Sequence, residues 1–583
     1  MRTTVSKHFS LFFVRTTFTF LVVLLTIFPA IISAKAGDLD LTFGSGTGKV
    51  LLTASSSMEH EYASTLQRDG KILVAGICRL LPNGSAEQTC IARFLTNGVI
   101  DSAFGTEGFF RSQAGNCVGG GAIATSPTGE IYYGGVSREI VSGAVRNRFC
   151  VSRLLPSGAF DVSFGAAGVA SVHVDETDYL YNFSLSLSVL QGGRLFIAGT
   201  CSLPFPNRGE RRFCAARMLA NGDADIAFGS NGSLIVLAGT PFDFLSTVAE
   251  SGTSMFLIGF CSYRSTPPLN ESICVSKINF DGAVDSSWSA QGRFSANLPD
   301  YVASQGSALI AGTDGSITIA AACIDSTNRH GCVLRLRSDG FVDSTFASNG
   351  LLLDWSSYQT SGFGSIAQAD KYIILGGRCG ASLNANSPCT WRMTTDGTPD
   401  ASFGMSGVVQ VPFPSTTKSF ARYGVTQQVN GKILMVMTCV YANGDEDFCL
   451  ARLLDKDGAF DLDSDGSVSA NTDGILYLRH LLGFQDSALT SGVLGAFADR
   501  TLSSEITAYL SSPNPAYPYC SKNIVGAPGG PLAFADGLVL LRVMLGLTGN
   551  TVTSGINFPA GTTRTNWPDI MTHLVGNCGM ALN

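Results

Sequence analysis

The sequence predicts a mainly β protein built from repeated four-stranded units, followed by a small helical module. Three observations carry this prediction: a phrase that recurs at intervals of 57 to 64 residues, a turn-and-strand phrase inside each interval, and a high glycine content. Of 583 residues, 66 are glycine, 45% are hydrophobic and only 14% are charged. This composition excludes a disordered chain, a coiled coil and a collagen-like repeat. It also disfavours a helix-rich protein, because glycine is costly inside helices.

The first 36 residues have the pattern of a secretory signal peptide. A basic segment ending at Arg15 precedes an apolar stretch over 18–32 and an A-x-A pattern over 34–36. This pattern predicts cleavage after Ala36. An uncleaved membrane anchor is the alternative, and the charge of Arg15 disfavours it. We expect no membrane span after signal cleavage, and a protein that is secreted, at the cell surface or in the periplasm.

One phrase, G-x-x-D-x-x-F-G-x-x-G, defines the repeat. It is complete at 98–108 and at 397–407, whereas in weaker copies Trp288 replaces the phenylalanine and Ala347 replaces the glycine. The aspartates of the phrase delimit seven units. These aspartates are Asp40, Asp101, Asp161, Asp225, Asp285, Asp343, Asp400 and Asp461.

Two further phrases stand at fixed places in each unit. A polar residue and a glycine before an apolar run, as in 69–76 and 430–437, are typical of a turn that leads into a buried strand. A cysteine followed three positions later by a basic residue recurs in every unit, as in Cys90 with Arg93. Four short strands per unit and several units in a row are typical of a β-propeller, since one four-stranded sheet cannot bury both faces alone.

The 16 cysteines all lie beyond the predicted signal peptide, and most form close pairs along the chain. Paired cysteines on an antiparallel hairpin lie within disulfide reach, and an exported chain is expected to form such bonds. Free buried thiols are the alternative, while zinc is disfavoured because no C-x-x-C occurs. In the second unit Ser137 replaces the usual first cysteine, which leaves Cys150 to pair with Cys117. The expected pairs are Cys78–Cys90, Cys117–Cys150, Cys201–Cys214, Cys261–Cys274, Cys323–Cys332, Cys379–Cys389, Cys439–Cys449 and Cys520–Cys578.

The order of strands also predicts how the array closes. The strand after each F-G occurs seven times, and its first copy, 49–52, opens the predicted mature chain. The array ends after Arg452 without an eighth copy. We therefore expect 49–52 to complete the sheet of the last unit.

Together, the three phrases resemble the delta-60 repeat of exported bacterial proteins over residues 38–461. The resemblance implies propeller blades and export, and it implies no activity. We interpret the repeated aspartate and basic residue as structural, forming a partly buried ion pair or capping a turn, because they occur in every unit whereas a propeller has one axial site. We interpret the repeated phenylalanine as a core residue.

The sequence contains no H-E-x-x-H or G-x-S-x-G motif. The glycine-rich segment 44–49 resembles a phosphate-binding loop only superficially, because Val50 stands where serine or threonine is required. Paired carboxylates for sugar hydrolysis would be distant in sequence and leave no motif. The loops between paired cysteines, such as 202–213 and 264–273, vary between units and are candidates for ligand specificity.

The chain changes character at about residue 455, where a calcium loop is predicted. The D-x-D-x-D-G order from Asp461 provides oxygens at positions 1, 3 and 5 for a hard cation. Position 12 is Thr472 instead of an acid, and Asp473 follows one residue later. The segment resembles half of a dockerin or EF-hand, which implies one Ca²⁺ ion; a solvated turn is the alternative. The expected ligands are Asp461, Asp463, Asp465, Ser467 and Asp473.

This C-terminal module is duplicated, since 473–483 matches 536–546 at a spacing of 63 residues. In the second copy the loop aspartates have become Ile524, Gly526 and Pro528, so that copy is expected to bind no calcium. Dockerins bind cohesins, and the resemblance therefore implies a cohesin-like partner, although dockerins usually have two intact loops.

The expected domains are a signal peptide over 1–36, a seven-bladed β-propeller over 37–454 and a duplicated dockerin- or EF-hand-like module over 455–583. The predicted function is non-catalytic binding of a protein or glycan ligand at the cell surface. The acidic net charge of −7 gives no indication of a nucleic-acid partner. One alternative is an extracellular polysaccharide-active enzyme that uses the module for attachment. A second alternative is a structural cell-surface protein.

Overall fold

The computed structural model describes most of the chain from residue 36 onward. For residues inside strands or helices whose side chains lie outside the description, only the backbone is considered. The described residues are 36–40, 43–52, 59–79, 87–112, 117–141, 144–174, 179–203, 209–236, 240–263, 271–296, 298, 301–326, 328–356, 358, 360–369, 372–382, 385–401, 403–411, 413, 417–428, 431–441, 446–455, 459–465, 468–495, 498, 500–512, 520–578 and 580.

The repeated units are antiparallel sheets of four strands, as predicted. Each unit has a first strand, two strongly buried middle strands and a short fourth strand that follows the F-G phrase. Over the described residues the strands are β1 Lys49–Leu52, β2 Glu59–Leu66, β3 Ile72–Arg79, β4 Glu87–Phe94, β5 Phe109–Arg111, β6 Val118–Thr125, β7 Ile131–Val141, β8 Ala144–Leu154, β9 Val169–His173, β10 Tyr179–Val189, β11 Leu195–Ser202, β12 Arg211–Met218, β13 Ser233–Val236, β14 Phe242–Ser251, β15 Ser254–Ser262, β16 Glu271–Asn279, β17 Arg293–Ala296, β18 Ala303–Ala311, β19 Ile317–Ile324, β20 Arg329–Leu336, β21 Leu351–Leu353, β22 Thr360–Ala369, β23 Tyr372–Ser382, β24 Ala385–Thr394, β25 Val408–Gln410, β26 Thr417–Gln427, β27 Ile433–Tyr441 and β28 Glu446–Leu453.

The units follow one another around a common centre. Consecutive quartets of strands form most sheets, and β10–β13 and β14–β17 are joined only by one parallel bridge between Arg211 and Phe242. The first strand of each unit packs against the first strand of the next, from β2 and β6 through to β22 and β26, and β26 in turn contacts β2. This arrangement buries the sheet faces that a single unit would leave exposed.

The N-terminal strand closes the array, as expected. β1 lies antiparallel to β28, with Lys49 opposite Ala451 and Leu52 opposite Phe448. The last sheet therefore has the order β1-β28-β27-β26. Three of its strands come from the end of the repeat array, and the fourth comes from the beginning.

The segment immediately before β1 also takes part in this closure. The amide of Gly37 donates a hydrogen bond to the carbonyl of Leu454 at 2.7 Å, just as Gly98 donates to Leu95 within the first unit at 2.9 Å. The carbonyl of Ala36 accepts a hydrogen bond from the amide of Gly404 at 2.8 Å. Both glycines have a positive φ, 94° at Gly37 and 82° at Gly98, which glycine adopts without steric cost. Residues 36–40 thus supply the turn that β28 lacks.

All eight expected disulfides are present, including Cys117–Cys150 and Cys520–Cys578. In six units the bond joins the second and third strands close to the loop between them. Because neighbouring strands are antiparallel, each unit has two distinct ends. We call the end with these loops the cysteine face, and the opposite end, with the turn between the first and second strands, the turn face.

The C-terminal module consists of short helices around a separate hydrophobic cluster, which includes Phe460, Leu476, Tyr477, Val539 and Leu540. A π-helical turn precedes each of its two longer repeated helices. Among the described residues, no helix has the length and apolarity that crossing a membrane requires. The helical segments are Gln191–Gly193 within the repeats, then Ala470–Gly474, α1 Ile475–Leu481, α2 Asp486–Thr490, α3 Ser503–Ser511, Ala533–Gly537, α4 Leu538–Met544, α5 Asn550–Thr553, α6 Trp567–Met571 and Thr572–Asn577.

Candidate functional site

The repeated aspartate and basic residue form an ion pair in all seven units, which confirms the structural interpretation. Each basic residue stands near the end of a third strand, on the turn face, and its aspartate lies in the connection to the fourth strand. The pairs are Arg452–Asp40 at 2.7 Å, Arg93–Asp101 at 2.9 Å, Arg153–Asp161 at 2.8 Å, Arg217–Asp225 at 2.8 Å, Lys277–Asp285 at 2.9 Å, Arg335–Asp343 at 3.4 Å and Arg392–Asp400 at 2.8 Å.

The six arginines among these basic residues also connect their unit to the next one. Arg335 donates a hydrogen bond to the carbonyl of Thr395 at 2.6 Å, and Arg452 donates to the carbonyl of Thr96 at 2.6 Å. The guanidinium of Arg452 lies 4.8 Å from the centre of the Phe43 ring, which is fully buried. A charged group with a carboxylate, a carbonyl and an aromatic partner is fully occupied, so these residues maintain the fold.

The predicted calcium loop brings three carboxylates together. One carboxylate oxygen from each of Asp461, Asp463 and Asp473 lies within 4.8 Å of the others. Asp463 and Asp473 are both fully buried. Asp473 is in place because the π-helical turn Ala470–Gly474 directs it back towards the start of the loop, despite its position one residue later than in a standard loop.

Backbone amides fix the orientation of these carboxylates. Asp473 Oδ2 accepts a hydrogen bond from the amide of Ser469 at 2.9 Å, while its Oδ1 accepts one from the amide of Leu462. Asp463 Oδ2 accepts one from the amide of Gly495 at 2.7 Å. The carboxylates of Asp463 and Asp473 are therefore held in place by the main chain.

Burial and like charges raise the pKa values within the cluster. Burial, followed by the charges of Asp473 and Asp463, raises the pKa of Asp461 to about 8. Burial and the charge of Asp463 raise the pKa of Asp473 to about 7. Like charges at such distances disfavour simultaneous ionisation unless a positive charge compensates them.

Comparison of the two copies of the module distinguishes one aspartate that serves the fold in both copies from two that occur only in the first copy. Asp536 occupies the place of Asp473, and it accepts hydrogen bonds from the amides of Val525 at 2.8 Å and Leu532 at 2.6 Å. A buried aspartate at this place therefore braces the loop in both copies. No carboxylate fits at Gly526, since a Cβ there would lie 2.1 Å from Thr563 Oγ1. Only the first copy adds Asp461 and Asp463.

The other two predicted ligands are placed differently. Asp465 is not part of the three-carboxylate group; its amide donates to Asp461 Oδ1 at 3.1 Å, and its side chain lies against Gly495. Ser467 lies outside the described residues.

Lys432 was not anticipated as part of this region. Its ammonium lies 3.1 Å from Asp40 Oδ2 and donates to Ser464 Oγ at 3.1 Å, so it joins the closing ion pair of the repeats to the acidic loop. Its charge also acts on Asp461, whose pKa it lowers against the stronger opposing effects. The sequence signal was slight, because Lys432 belongs to a repeated turn phrase in which Lys71 has no such role.

A second group of metal-ligating residue types consists of Cys520, His573 and Cys578. Both cysteines are consumed by their disulfide, so they offer no thiolate to a metal. Within the described residues, the acidic loop remains the candidate metal site.

A protein-family model described as a domain of unknown function (DUF5122) beta-propeller matches residues 67–104 and 312–346. The matched segments contain the turn phrase, the cysteine phrase and the D-x-x-F phrase of the first and fifth units. No curated protein matches the chain.

Several solved structures share a distant overall likeness. A protein of unknown function from Dyadobacter fermentans DSM 18053 is 10% identical over 70% of this chain and 97% of that chain, with a TM-score of 0.33. The polysaccharide lyase Uly1 is 11% identical over 68% and 90% of the chains, with a TM-score of 0.39. A PL25 ulvan lyase is 10% identical over 72% and 95%, with a TM-score of 0.40. These TM-scores carry no argument about activity. The matched repeats and the four-stranded sheets identify the chain as a β-propeller protein.

Proposed function

We propose that this chain is an exported binding protein: a seven-bladed propeller that presents a ligand-binding face, with a C-terminal docking module stabilised by one calcium ion. The single observation that carries the proposal is the cluster of Asp461, Asp463 and Asp473, of which the last two are buried. The eight disulfides support an extracellular location, since such bonds persist in oxidising compartments.

Calcium accounts for what distinguishes the two copies of the module. One aspartate is sufficient to brace the loop, as Asp536 shows, whereas Asp461 and Asp463 add negative charge, and Asp463 is fully buried. Burying such charge is costly unless it is paired or coordinates a metal. Calcium favours carboxylate oxygens in a flexible loop, and Asp461, Asp463 and Asp473 would hold it.

The exposed apolar residues of the module support a protein partner there, and a cohesin-like partner is the one we propose. Leu482 and Phe484 follow α1, and Leu545 and Leu547 follow α4 at the equivalent positions 63 residues later; all four are at least 40% exposed. Repetition of exposed apolar residues in both copies favours docking over chance. Such docking would leave the propeller free to bind a second ligand.

The module joins the propeller at the turn face, through the contact of Lys432 with Ser464. The cysteine face, whose loops vary most between units, lies at the opposite end of the sheets. We therefore assign ligand binding by the propeller to the cysteine face.

Calorimetric titration of calcium into the full oxidised chain tests the proposal. We expect one site, a rise in the melting temperature of the module, and loss of both in Asp463→Asn. Asp536→Asn is the matched control, because it removes the brace of the second copy and should leave calcium binding intact. Absence of heat together with an unchanged melting temperature would refute the calcium site.

A polysaccharide-active enzyme is the second candidate, and Glu271 favours it. This residue is 5% exposed on the cysteine face, and burial raises the pKa of its carboxyl, as a general acid requires. Turnover of a glycan that disappears in Glu271→Gln would establish the enzyme. Retention of the glycan without turnover in both forms would favour binding alone.

A further inference from the structure

Two arginines meet on the cysteine face at the junction of the fifth and sixth units. Arg329 begins β20 and lies between the paired Cys323 and Cys332, whereas Arg378 lies in β23 directly before Cys379. Both reach towards Gly362 of β22: a Cβ on that glycine would lie 3.3 Å from Arg329 Nε and 3.9 Å from Arg378 Nε. A side chain at this position would separate the two guanidinium groups, and glycine allows them to converge.

The two guanidinium groups are not neutralised as the six repeated arginines are. Within the described part of the chain, Arg329 Nε is buried without a hydrogen-bond partner. Arg378 likewise has no ion pair or hydrogen bond among the described residues. Among the described residues, the lack of an ion pair distinguishes Arg329 and Arg378 from the repeated arginines, since Arg153 Nε and Arg335 Nε also lack hydrogen-bond partners.

Their electrostatic environment favours an anion. Burial and the charge of Arg378 lower the pKa of Arg329 to about 10, against the opposing effect of Glu271. Glu271 is itself engaged, because it accepts a hydrogen bond from Gln305 Nε2 at 2.5 Å. Two guanidinium groups and one carboxylate leave an excess positive charge in a partly buried place, which a ligand anion would neutralise.

We propose that Arg329 and Arg378 form a binding site for the oxyanion of an acidic saccharide, such as a uronate carboxylate or a sulfate ester. This inference rests on the proposed binding function of the propeller and names its ligand class. Both arginines are partly exposed, so a ligand on the cysteine face can reach them. Guanidinium groups suit carboxylate and sulfate because their planar donors form paired hydrogen bonds.

The nearby side chains favour a saccharide over an acidic peptide. Gln305 provides an amide beside Glu271, and Tyr423 of β26 lies close to the neighbouring Gly364, 3.5 Å from the position of an added Cβ. The charge of Arg378 acts on Tyr423, which places both in one electrostatic environment. Amide and aromatic side chains around a cation suit the hydroxyl groups and ring faces of a sugar.

The test uses the full oxidised chain and affinity electrophoresis with four probes: polygalacturonate, a heparin-type sulfated glycan, neutral dextran and poly-glutamate. We expect retention by at least one acidic glycan, none by dextran, and weaker retention as salt is added. Retention by polygalacturonate alone would identify a carboxylate, and retention by heparin alone a sulfate. Stronger retention by poly-glutamate than by either glycan would overturn the saccharide assignment.

Arg329→Gln and Arg378→Gln should each weaken retention by about tenfold, the effect of one charge-assisted interaction, and the double variant should abolish it. Arg337→Gln is the matched control, since Arg337 is exposed and paired with Asp339. If both arginines serve binding, the melting temperatures of the two variants should equal or exceed that of the wild-type protein. A marked fall in melting temperature with unchanged retention would show a structural role and overturn the proposal.

Asp463→Asn distinguishes this proposal from the calcium site. That variant should lose calcium binding and keep glycan retention, because the two sites lie on opposite faces. Calcium binding without retention of any acidic glycan would overturn the arginine site and leave the calcium proposal intact.

Discussion

Asp40 and Arg452 stand 412 positions apart in the chain and form an ion pair of 2.7 Å, with 3% and 0% of their side chains exposed. In the other six units the equivalent pair lies within one continuous segment. Here it joins the beginning of the repeat array to its end. The closure of the propeller therefore depends on contacts between β1, β28 and residues 36–40, and on no covalent connection.

Arg452→Met should destabilise the propeller strongly. The substitution leaves the buried Asp40 with Lys432 as its remaining cation, and breaking a buried pair costs about 3–5 kcal/mol of unfolding free energy. Arg337→Met, at an exposed pair with Asp339, should cost about 0–1 kcal/mol. Urea unfolding of the oxidised proteins measures both. Equal losses in the two variants would contradict the importance of the closing pair.

The processed N-terminus should retain Ala36. This residue is 3% exposed and its carbonyl accepts the amide of Gly404, so cleavage after it would remove a hydrogen-bond acceptor from the closing turn. We therefore expect cleavage before Ala36, whereas the A-x-A pattern predicts cleavage after it. The intact mass of the exported protein decides the matter, and a mature form that begins at Gly37 would contradict this expectation.

Without calcium, the C-terminal module should lose stability as the pH rises from about 4 to about 8. The folded pKa values of Asp461, about 8, and Asp473, about 7, lie above the ordinary value of 3.8. The folded state therefore binds more protons than the unfolded state within this range. The resulting contribution to the stability of the module is lost as these protons dissociate. Calorimetric melting in the presence of a chelator measures the effect. Asp461→Asn should flatten the profile, and a wild-type profile that is already flat would argue against the carboxylate cluster.

Lys432→Met should increase the affinity for calcium. The ammonium acts electrostatically on Asp461, and a positive charge beside a cation site opposes binding. The same change removes the contact with Ser464, so the module should also detach from the propeller more readily. Lys71→Met is the matched control at the equivalent turn of the first unit. Titration of both variants gives the comparison, and weaker binding in Lys432→Met would reverse the electrostatic argument.

The fold could be predicted in detail because the same sequence pattern recurs in every unit. Because seven copies of one phrase can be compared, irregularities in single copies do not obscure the pattern. The number of strands per unit and most disulfides followed from the spacing of the phrases. Cys117 could also be assigned as the partner of Cys150. The closing strand 49–52 was predictable because an array with one surplus strand at its beginning lacks one at its end.

The candidate sites were predictable only in part, for a physical reason. Asp461, Asp463 and Asp473 are close in sequence, so a local motif identifies them. Arg329 and Arg378 come from different units, and their proximity depends on the stacking of neighbouring sheets. Lys432 repeats a common phrase, and only its location at the closure gives it a contact with the module.

The disulfides make the structure of the sheets independent of the sequences of the loops on the cysteine face. In the third unit Cys201 and Cys214 lie at the base of a hairpin loop, where Gly199 pairs with Cys214 and Cys201 with Arg212. A covalent closure at the base fixes the strand register whatever the loop above it contains. Loop sequences can therefore diverge, or be replaced by grafted peptides, with little effect on the folding of the sheet. The architecture provides a scaffold on which recognition can be redesigned one loop at a time.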